Sequence, residues 1–211
     1  MAITFYTNPM SRGGIVRWAL HEVGAEYEAK VIGYGEEMKG DYQRDINPMG
    51  KVPAIVHDGK VVTECAAICH YLAETHPDAG LAPRDDEQAA YWRWLFFAAG
   101  PLEQAVTNRA MGFEVPDDPQ KRGMIGYGHY GLVMDVLEQH FAQSDYAAGA
   151  RFTMADVYLG SAVSWGLQFG TVEDRALLRA YAERVTDRPA HREARAIDMK
   201  LMEEMQAAQG G

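Results

Sequence analysis

A serine stands where a predicted strand gives way to a predicted helix, in the segment FYTNPMSRGG that runs from Phe5 to Gly14. The first turn of a helix presents backbone N–H groups without intrahelical partners, together with the positive end of the helix dipole. A thiolate or a carboxylate is stabilised at such a place. Ser11 therefore has two interpretations, a plain cap of the helix or a hydrogen-bond donor to a bound ligand.

Two further segments place polar groups at the ends of predicted strands. Pro53, in Val52-Pro53, cannot donate to a strand ladder. A cis bond there turns the backbone N–H and C=O of Val52 outward, toward an extended peptide, whereas a trans bond is an ordinary turn proline. In Thr63-Glu64-Cys65 a strand again meets a helix start. The N–H of Cys65 can bind a carboxylate there and Glu64 an ammonium group, or Thr63 simply caps the helix.

The composition narrows the range of partners. The chain has 211 residues, 47% of them hydrophobic, and a formal net charge of −10 without a basic cluster. This charge argues against nucleic acid and an anionic membrane as the main partner. We expect no secretion signal and no membrane span, and Cys65 and Cys69 are too few for a secreted disulfide framework, so the predicted location is the cytoplasm. No set of His, Asp and Glu has metal-ligand spacing, so we predict no metal site.

The first third of the chain alternates between the periodicities of strands and helices. Its predicted order is β-α-β, then a loop rich in Gly and Glu or a short helix, and then β-β-α. Asp58-Gly59 marks a hairpin between the last two strands. After this region the β signal disappears and helical periodicity remains. We therefore predict an α/β domain over residues 1–78, a linker over 79–86 and an all-α domain over 87–211.

The combination of motifs resembles the cytosolic glutathione transferases. In the first domain the resemblance rests on Asn47-Pro48-Met49-Gly50-Lys51-Val52-Pro53, the Asp-Gly hairpin, Thr63-Glu64-Cys65-Ala66-Ala67-Ile68 and Tyr71-Leu72. In the second domain, Phe152-Thr153-Met154-Ala155-Asp156 resembles the capping motif of the family. The resemblance implies a thioredoxin-like N-terminal domain followed by an all-α helical bundle that carries an electrophile pocket. It also implies a homodimer, with glutathione as the co-substrate.

The resemblance also implies roles for the polar segments. Val52 is expected to pair with the cysteinyl backbone of glutathione through a cis Val52-Pro53 bond. Glu64 and Cys65 are expected to hold the γ-glutamyl end, and Lys51 to reach the glycine carboxylate. The position of Cys65 is normally serine in this family. The backbone contact survives that change, but the side-chain contact weakens because a thiol is a poor donor.

The opening turn offers several candidates for the residue that activates the glutathione sulfur. In serine-type classes of the family, a hydroxyl in the opening turn donates to the sulfur and thereby lowers the pKa of the thiol. An ungapped count places the family's serine on Met10, which has no donor, and Ser11 follows it. We predict Ser11 as the catalytic donor, with Asn8, Met10 and Arg12 also at the glutathione site. Asn8, Arg12 or a backbone N–H are the alternatives for the donor.

The second domain is expected to hold a hydrophobic electrophile, with Asn108 and Tyr127 as candidates to line its pocket. The leading functional hypothesis is conjugation of the glutathione thiolate to that electrophile, by proximity and thiolate activation. One alternative is glutathione-dependent reduction of disulfides or peroxides. A second is a binding or structural module without turnover, which the Met10/Ser11 offset and the cysteine at 65 keep open.

Overall fold

The structure, a computed structural model, describes residues 3–209. The first two residues of the predicted α/β domain and the last two of the predicted all-α domain lie outside it. The chain separates into two units. The first contains the chain up to Ala82 and again from Asp187, and the second is Pro83–Thr186. None of the helices described is long and apolar enough to cross a membrane.

The first unit is built on a four-stranded sheet. Its strands are β1 (Ile3–Thr7), β2 (Tyr27–Val31), β3 (Ala54–His57) and β4 (Lys60–Thr63), in the order β2-β1-β3-β4. β1 and β2 run parallel, whereas β1 with β3 and β3 with β4 are antiparallel. Asp58 and Gly59 have φ values of 52° and 75° and form the predicted hairpin turn. The mixed sheet confirms the predicted thioredoxin-like architecture.

Helices cover this sheet in the first unit. They are α1 (Gly13–Glu22), α2 (Asp41–Asp45) and α3 (Cys65–Thr75), with single 3-10 turns at Glu36–Met38 and Pro77–Ala79. Ile3 and Phe5 alternate along β1 and are buried, as are Trp18 and Leu20 on α1. This core fixes the ends of the strands, where the polar segments lie.

The last helix of the chain, Pro189–Gln209, belongs to the first unit and packs along α1. Its helical periodicity predicts instead that it lies in the all-α domain. Its position is instead set by long-range ion pairs. Buried Arg17 donates from Nε to Asp198 at 2.8 Å, and Arg188 donates to both carboxylate oxygens of Glu22 at 2.6 and 2.7 Å.

The second unit is all-helical, as predicted. After α4 (Gln88–Phe97) and a π-helical turn at Ala98–Leu102 come α5 (Glu103–Ala110), α6 (Pro119–Met124), α7 (Tyr130–Phe141), α8 (Met154–Phe169) and α9 (Ala176–Thr186); the helix Pro189–Gln209 of the first unit is therefore α10. The predicted capping motif opens α8. Asp156 accepts from the backbone N–H of Thr153 at 2.9 Å and from its hydroxyl at 3.1 Å.

Candidate functional site

The three polar segments of the first unit meet at one edge of the sheet. Tyr6 at the end of β1 pairs with Ala54 at the start of β3, and Ala54 pairs in turn with Thr63 at the end of β4. The turn after β1, the peptide before β3 and the junction after β4 therefore lie side by side. Strand ends carry backbone groups that the ladder does not use, which suits this edge to binding a peptide-like ligand.

The junction between β4 and α3 has an unusual backbone. Glu64 has φ 65° and ψ 119°, and a non-glycine residue in such a conformation costs about 1–3 kcal/mol. Cys65 is 9% exposed, and its Sγ lies 3.8 Å from the carbonyl oxygen of Arg12. The side chain of Cys65 thus connects the start of α3 to the opening turn.

Polar side chains fix the backbone of the segment before β3 through hydrogen bonds. The Val52–Pro53 peptide bond is cis, as the resemblance implied. The carbonyl oxygen of Lys51 accepts from the Tyr42 hydroxyl at 2.6 Å and from Asn47 Nδ2 at 2.7 Å. The Lys51 side chain itself is exposed. A fixed backbone with an exposed ammonium group is suited to receiving an extended ligand that ends in a carboxylate.

Asn8 and Ser11 form the interior of the opening turn. Asn8 is fully buried, donates from Nδ2 to the carbonyl of Ile32 at 2.9 Å and accepts from the N–H of Met10 at 2.9 Å. It therefore shapes the turn, although the sequence analysis expects it at the glutathione site. Ser11 Oγ donates to the carbonyl of Asn8 at 2.7 Å and accepts from the N–H of Gly13 at 2.9 Å. In this conformation the Ser11 hydroxyl acts as a local cap.

The outer side of the opening turn carries Met10, Arg12 and a residue that the sequence analysis missed. The hydroxyl of Tyr34 donates to the carbonyl of Met10 at 3.0 Å. Desolvation raises the pKa of the Tyr34 phenol, and the nearby positive charge of Arg12 opposes that rise. Tyr34 stands in the Gly- and Glu-rich loop, where no pattern indicates a contact 24 residues away.

Thr7 explains the glycine at the start of α1. A Cβ atom placed on Gly13 lies 2.0 Å from Thr7 Oγ1, so any other residue there clashes with the end of β1. Thr7 is fully buried, and its hydroxyl oxygen has no hydrogen-bond partner within residues 3–209. The close approach of strand and helix at this point keeps the opening turn tight.

In the second unit, the two residues predicted to line a pocket contact each other. Asn108 Nδ2 donates to the Tyr127 hydroxyl oxygen at 2.9 Å. Tyr127 lines a cavity of about 360 Å³, within the range of small-molecule sites. Asn108 supports a lining residue of that cavity.

Comparison with known proteins gives two family matches along the chain. Residues 14–75 match the family described as glutathione S-transferase, N-terminal domain. Residues 128–189 match the family described as glutathione S-transferase, C-terminal domain. Together the two matches cover more than half of the 211 residues.

Individual relatives and solved structures agree with these matches. A probable maleylacetoacetate isomerase of Caenorhabditis elegans is 44% identical over 151 residues, 67% of this chain and 68% of the relative. The crystal structure of a glutathione transferase from Methylococcus capsulatus superposes with a TM-score of 0.76 at 26% identity, over 93% of this chain and 98% of the other. A sphingomonad glutathione S-transferase complexed with glutathione gives 0.73 at 27% identity, over 92% and 98% of the two chains.

Proposed function

The chain belongs to the glutathione S-transferase family, and on that premise we propose that it binds glutathione at the sheet edge of the first unit and adds its sulfur to a small electrophile. One observation carries the proposal: the turn after β1, the Val52–Pro53 peptide and the Glu64–Cys65 junction lie side by side. Each segment offers backbone or side-chain groups of a kind that a γ-linked tripeptide requires.

The proposed contacts follow the chemistry of glutathione from one end to the other. Glu64 accepts from the ammonium group of the γ-glutamyl end, and the N–H of Cys65 at the start of α3 meets the neighbouring carboxylate, where the helix dipole favours negative charge. The backbone of Val52 pairs with the cysteinyl residue of glutathione. The exposed ammonium group of Lys51 meets the glycine carboxylate.

The sulfur is then placed at the opening turn, where Ser11 is the proposed donor. To donate to a thiolate, Ser11 Oγ exchanges its bond to the Asn8 carbonyl for one to sulfur, while it keeps the bond from Gly13. The exchange is favourable because a hydrogen bond to an ionised group is about twice as strong as a neutral one. Met10 and Arg12 flank the sulfur in this arrangement, and Arg12 adds electrostatic stabilisation.

Titration calorimetry with glutathione, followed by conjugation of an activated aryl chloride, tests the proposal. We expect saturable binding of glutathione and conjugation that requires it. Replacing Glu64 with Gln should weaken glutathione binding at least about tenfold, because a charge-assisted hydrogen bond is lost. Glu204→Gln, at an exposed position on α10, is the matched control and should bind as the wild type does. A wild-type protein that shows no heat of glutathione binding contradicts the proposal.

A second candidate reaction uses the same thiolate. The Caenorhabditis elegans relative is named a probable maleylacetoacetate isomerase, which favours glutathione-dependent isomerisation of a double bond. In that reaction the thiolate adds to a conjugated carbon–carbon double bond, the resulting single bond rotates, and elimination of the thiolate restores the double bond. Glutathione is recovered unchanged. Incubation with maleylacetoacetate distinguishes the two reactions: isomerisation gives the trans product with no loss of free thiol, whereas conjugation consumes glutathione.

Two further expectations concern disulfide reduction and the oligomeric state. Reduction of disulfides by the protein's own thiols is disfavoured, because Cys65 and Cys69 are both buried and desolvation raises the pKa of the Cys69 thiol. We further propose a cytoplasmic homodimer. Analytical ultracentrifugation should give twice the chain mass of 23.4 kDa, and a monomeric mass at micromolar concentration contradicts the dimer.

A further inference from the structure

The cavity of the helical unit has a lining that the family assignment does not explain. Its volume is about 360 Å³, and its walls include Phe113 and the polar side chains Arg109, Arg122, Tyr127, His129 and Tyr130. A pocket for a purely hydrophobic electrophile has no need of two guanidinium groups. The polar atoms of the lining therefore indicate the chemistry of the ligand.

Three lining side chains have a hydrogen-bond donor left to give. Arg122 Nε is buried and has no hydrogen-bond partner within residues 3–209. The Tyr127 hydroxyl oxygen accepts from Asn108, which leaves its proton for another acceptor. His129 Nδ1 accepts from the N–H of Leu132 at 3.1 Å, so the proton of the neutral ring is on Nε2.

Arg109 adds a positive charge over an aromatic face. Its guanidinium carbon lies 4.1 Å from the centre of the Tyr130 ring. Glu173 is 3.5 Å away but also accepts two hydrogen bonds from Arg175 at 2.9 and 3.0 Å, so its charge is shared. A second acid, Asp117, lies 3.0 Å from Arg122 Nη2. Glu114 is the acidic side chain among the residues that line the cavity.

We propose that this cavity binds a small, flat organic anion, an aromatic or unsaturated carboxylate, whose carboxylate oxygens accept from Arg122 Nε and the Tyr127 hydroxyl. Phe113 and the Arg109–Tyr130 stack supply the apolar and planar contacts. The inference deepens the proposed function and rests on it for the ligand's role: the electrophile, or the conjugate formed from it, carries a carboxylate.

Calorimetry without glutathione tests the inference, with naphthoate as the probe and its uncharged analogue naphthamide as the comparison. We expect naphthoate to bind about tenfold more tightly than naphthamide, because the cavity offers donors to an ionised acceptor. Equal affinities for the acid and the amide, or no binding of naphthoate, overturn the inference.

Variants locate the binding. Arg122→Gln should weaken naphthoate about tenfold and leave naphthamide unchanged, and Tyr127→Phe should weaken naphthoate severalfold. The matched control is Arg179→Gln on α9, which removes an arginine that pairs with Asp174 on the surface and should change neither affinity. An Arg122→Gln variant that binds naphthoate as the wild type does also overturns the inference.

The outcomes separate this inference from the proposed function. Glutathione binding without naphthoate binding overturns the inference alone. Naphthoate binding that depends on Arg122, in a protein that does not bind glutathione, supports the anion site and overturns the proposed function. When both bind, naphthoate should inhibit conjugation competitively with the electrophile and not with glutathione. Competition with glutathione instead contradicts the assignment of this cavity to the second substrate.

Discussion

Within residues 3–209 one aspartate is buried in each unit, and the two are satisfied in different ways. Asp198 in the first unit is 7% exposed and accepts from Arg17 Nε at 2.8 Å, so its charge faces an opposite charge. Asp156 in the second unit is fully buried and accepts four bonds from neutral donors, the N–H groups of Ala147 and Thr153 and the hydroxyls of Thr153 and Tyr181. Desolvation raises the pKa of both carboxyls.

The two aspartates also differ in the distance along the chain that they bridge. Asp156 lies three residues from Thr153, within a motif that the sequence displays. Asp198 and Arg17 are 181 residues apart, and their pairing fixes α10 on α1. Contacts within a motif can be predicted from sequence, whereas contacts that join distant segments require the fold. The same difference separates the sheet edge from the cavity of the helical unit.

The largest expected effect comes from breaking the long-range pair. Asp198→Ala should lower the free energy of unfolding by about 3–5 kcal/mol, because it leaves the buried Arg17 guanidinium without its counter-charge. Chemical denaturation followed by circular dichroism measures the loss. The double variant Arg17→Met with Asp198→Leu should recover most of it, since no charge is then buried.

Lys200→Ala is the control for this experiment. Lys200 and Glu204 lie on the same helix at 3.9 Å and are largely exposed, so the change should stay within about 0.5 kcal/mol. A loss below about 1 kcal/mol in Asp198→Ala shows that the pair does not hold α10 in place.

The next effect is a dependence of stability on pH that belongs to Asp156. Desolvation raises its pKa from 3.8 to about 6, against the hydrogen bonds from Ala147 and Thr153. The Asp156 carboxyl therefore keeps its proton to a higher pH in the folded state than in the unfolded state. This contribution to stability is fully present below about pH 3.8 and is lost as the pH rises toward about 6, by about 3 kcal/mol in all.

Asp156→Asn isolates that titration. The variant should lose about 1–3 kcal/mol, because the amide presents an N–H to donors that require an acceptor. The free energy of unfolding of the wild type, minus that of the variant, should therefore fall between pH 4 and 6. Parallel pH profiles of the two proteins mean that the carboxylate stays ionised when buried, held by its four donors.

The difference between local and long-range contacts also explains which parts of the fold could be predicted from the sequence. The α/β and all-α parts, the Asp58-Gly59 hairpin and the α8 cap follow from periodicity and local motifs, and the structure confirms them. The position of α10 could not be predicted, because its helical pattern does not state what it packs against. Its helical periodicity predicts it in the all-α domain, whereas in the structure it groups with the first unit.

The sheet edge of the first unit and the cavity of the helical unit differ in the same way. The sheet edge was predicted because each of its segments is a strand end with recognisable residues. Two features of this edge could not be predicted from the sequence: the burial of Asn8 and the contact of Tyr34 with Met10. Both depend on hydrogen bonds between the opening turn and a segment 24 residues further along the chain. The cavity gathers side chains from α5 to α7 and the loops between them, and of these the sequence analysis singled out Tyr127.

Ser11 tests whether a local motif at the sheet edge has a function beyond capping. In the glutathione complex, Ser11→Ala should raise the pKa of the bound thiol by about one to two, because a hydrogen bond to an ionised group contributes about 1.5–3 kcal/mol. The ultraviolet absorbance of the thiolate, recorded against pH, measures it. Ser11→Thr keeps the hydroxyl and should retain the wild-type value.

Arg12→Gln decides between the two candidate activators. A thiol pKa that is unchanged in Ser11→Ala and raised in Arg12→Gln assigns activation to the guanidinium and leaves Ser11 as a cap. In that case Ser11→Ala should still lose about 1 kcal/mol of stability, because the N–H of Gly13 loses its acceptor.

The smallest expected effect separates function from stability at one residue. Glu64 holds φ at 65°, which glycine adopts without steric cost, so Glu64→Gly should raise the free energy of unfolding by about 1 kcal/mol while it weakens glutathione binding. Glu64→Gln keeps the backbone strain and loses only the charge, so it should weaken binding without any gain in stability. Denaturation and calorimetry on the same samples measure both quantities. A Glu64→Gly protein that is less stable than the wild type shows that the Glu64 side chain stabilises the fold by more than its backbone conformation costs. The strained backbone at Glu64 would then be no evidence that this residue is kept for glutathione binding.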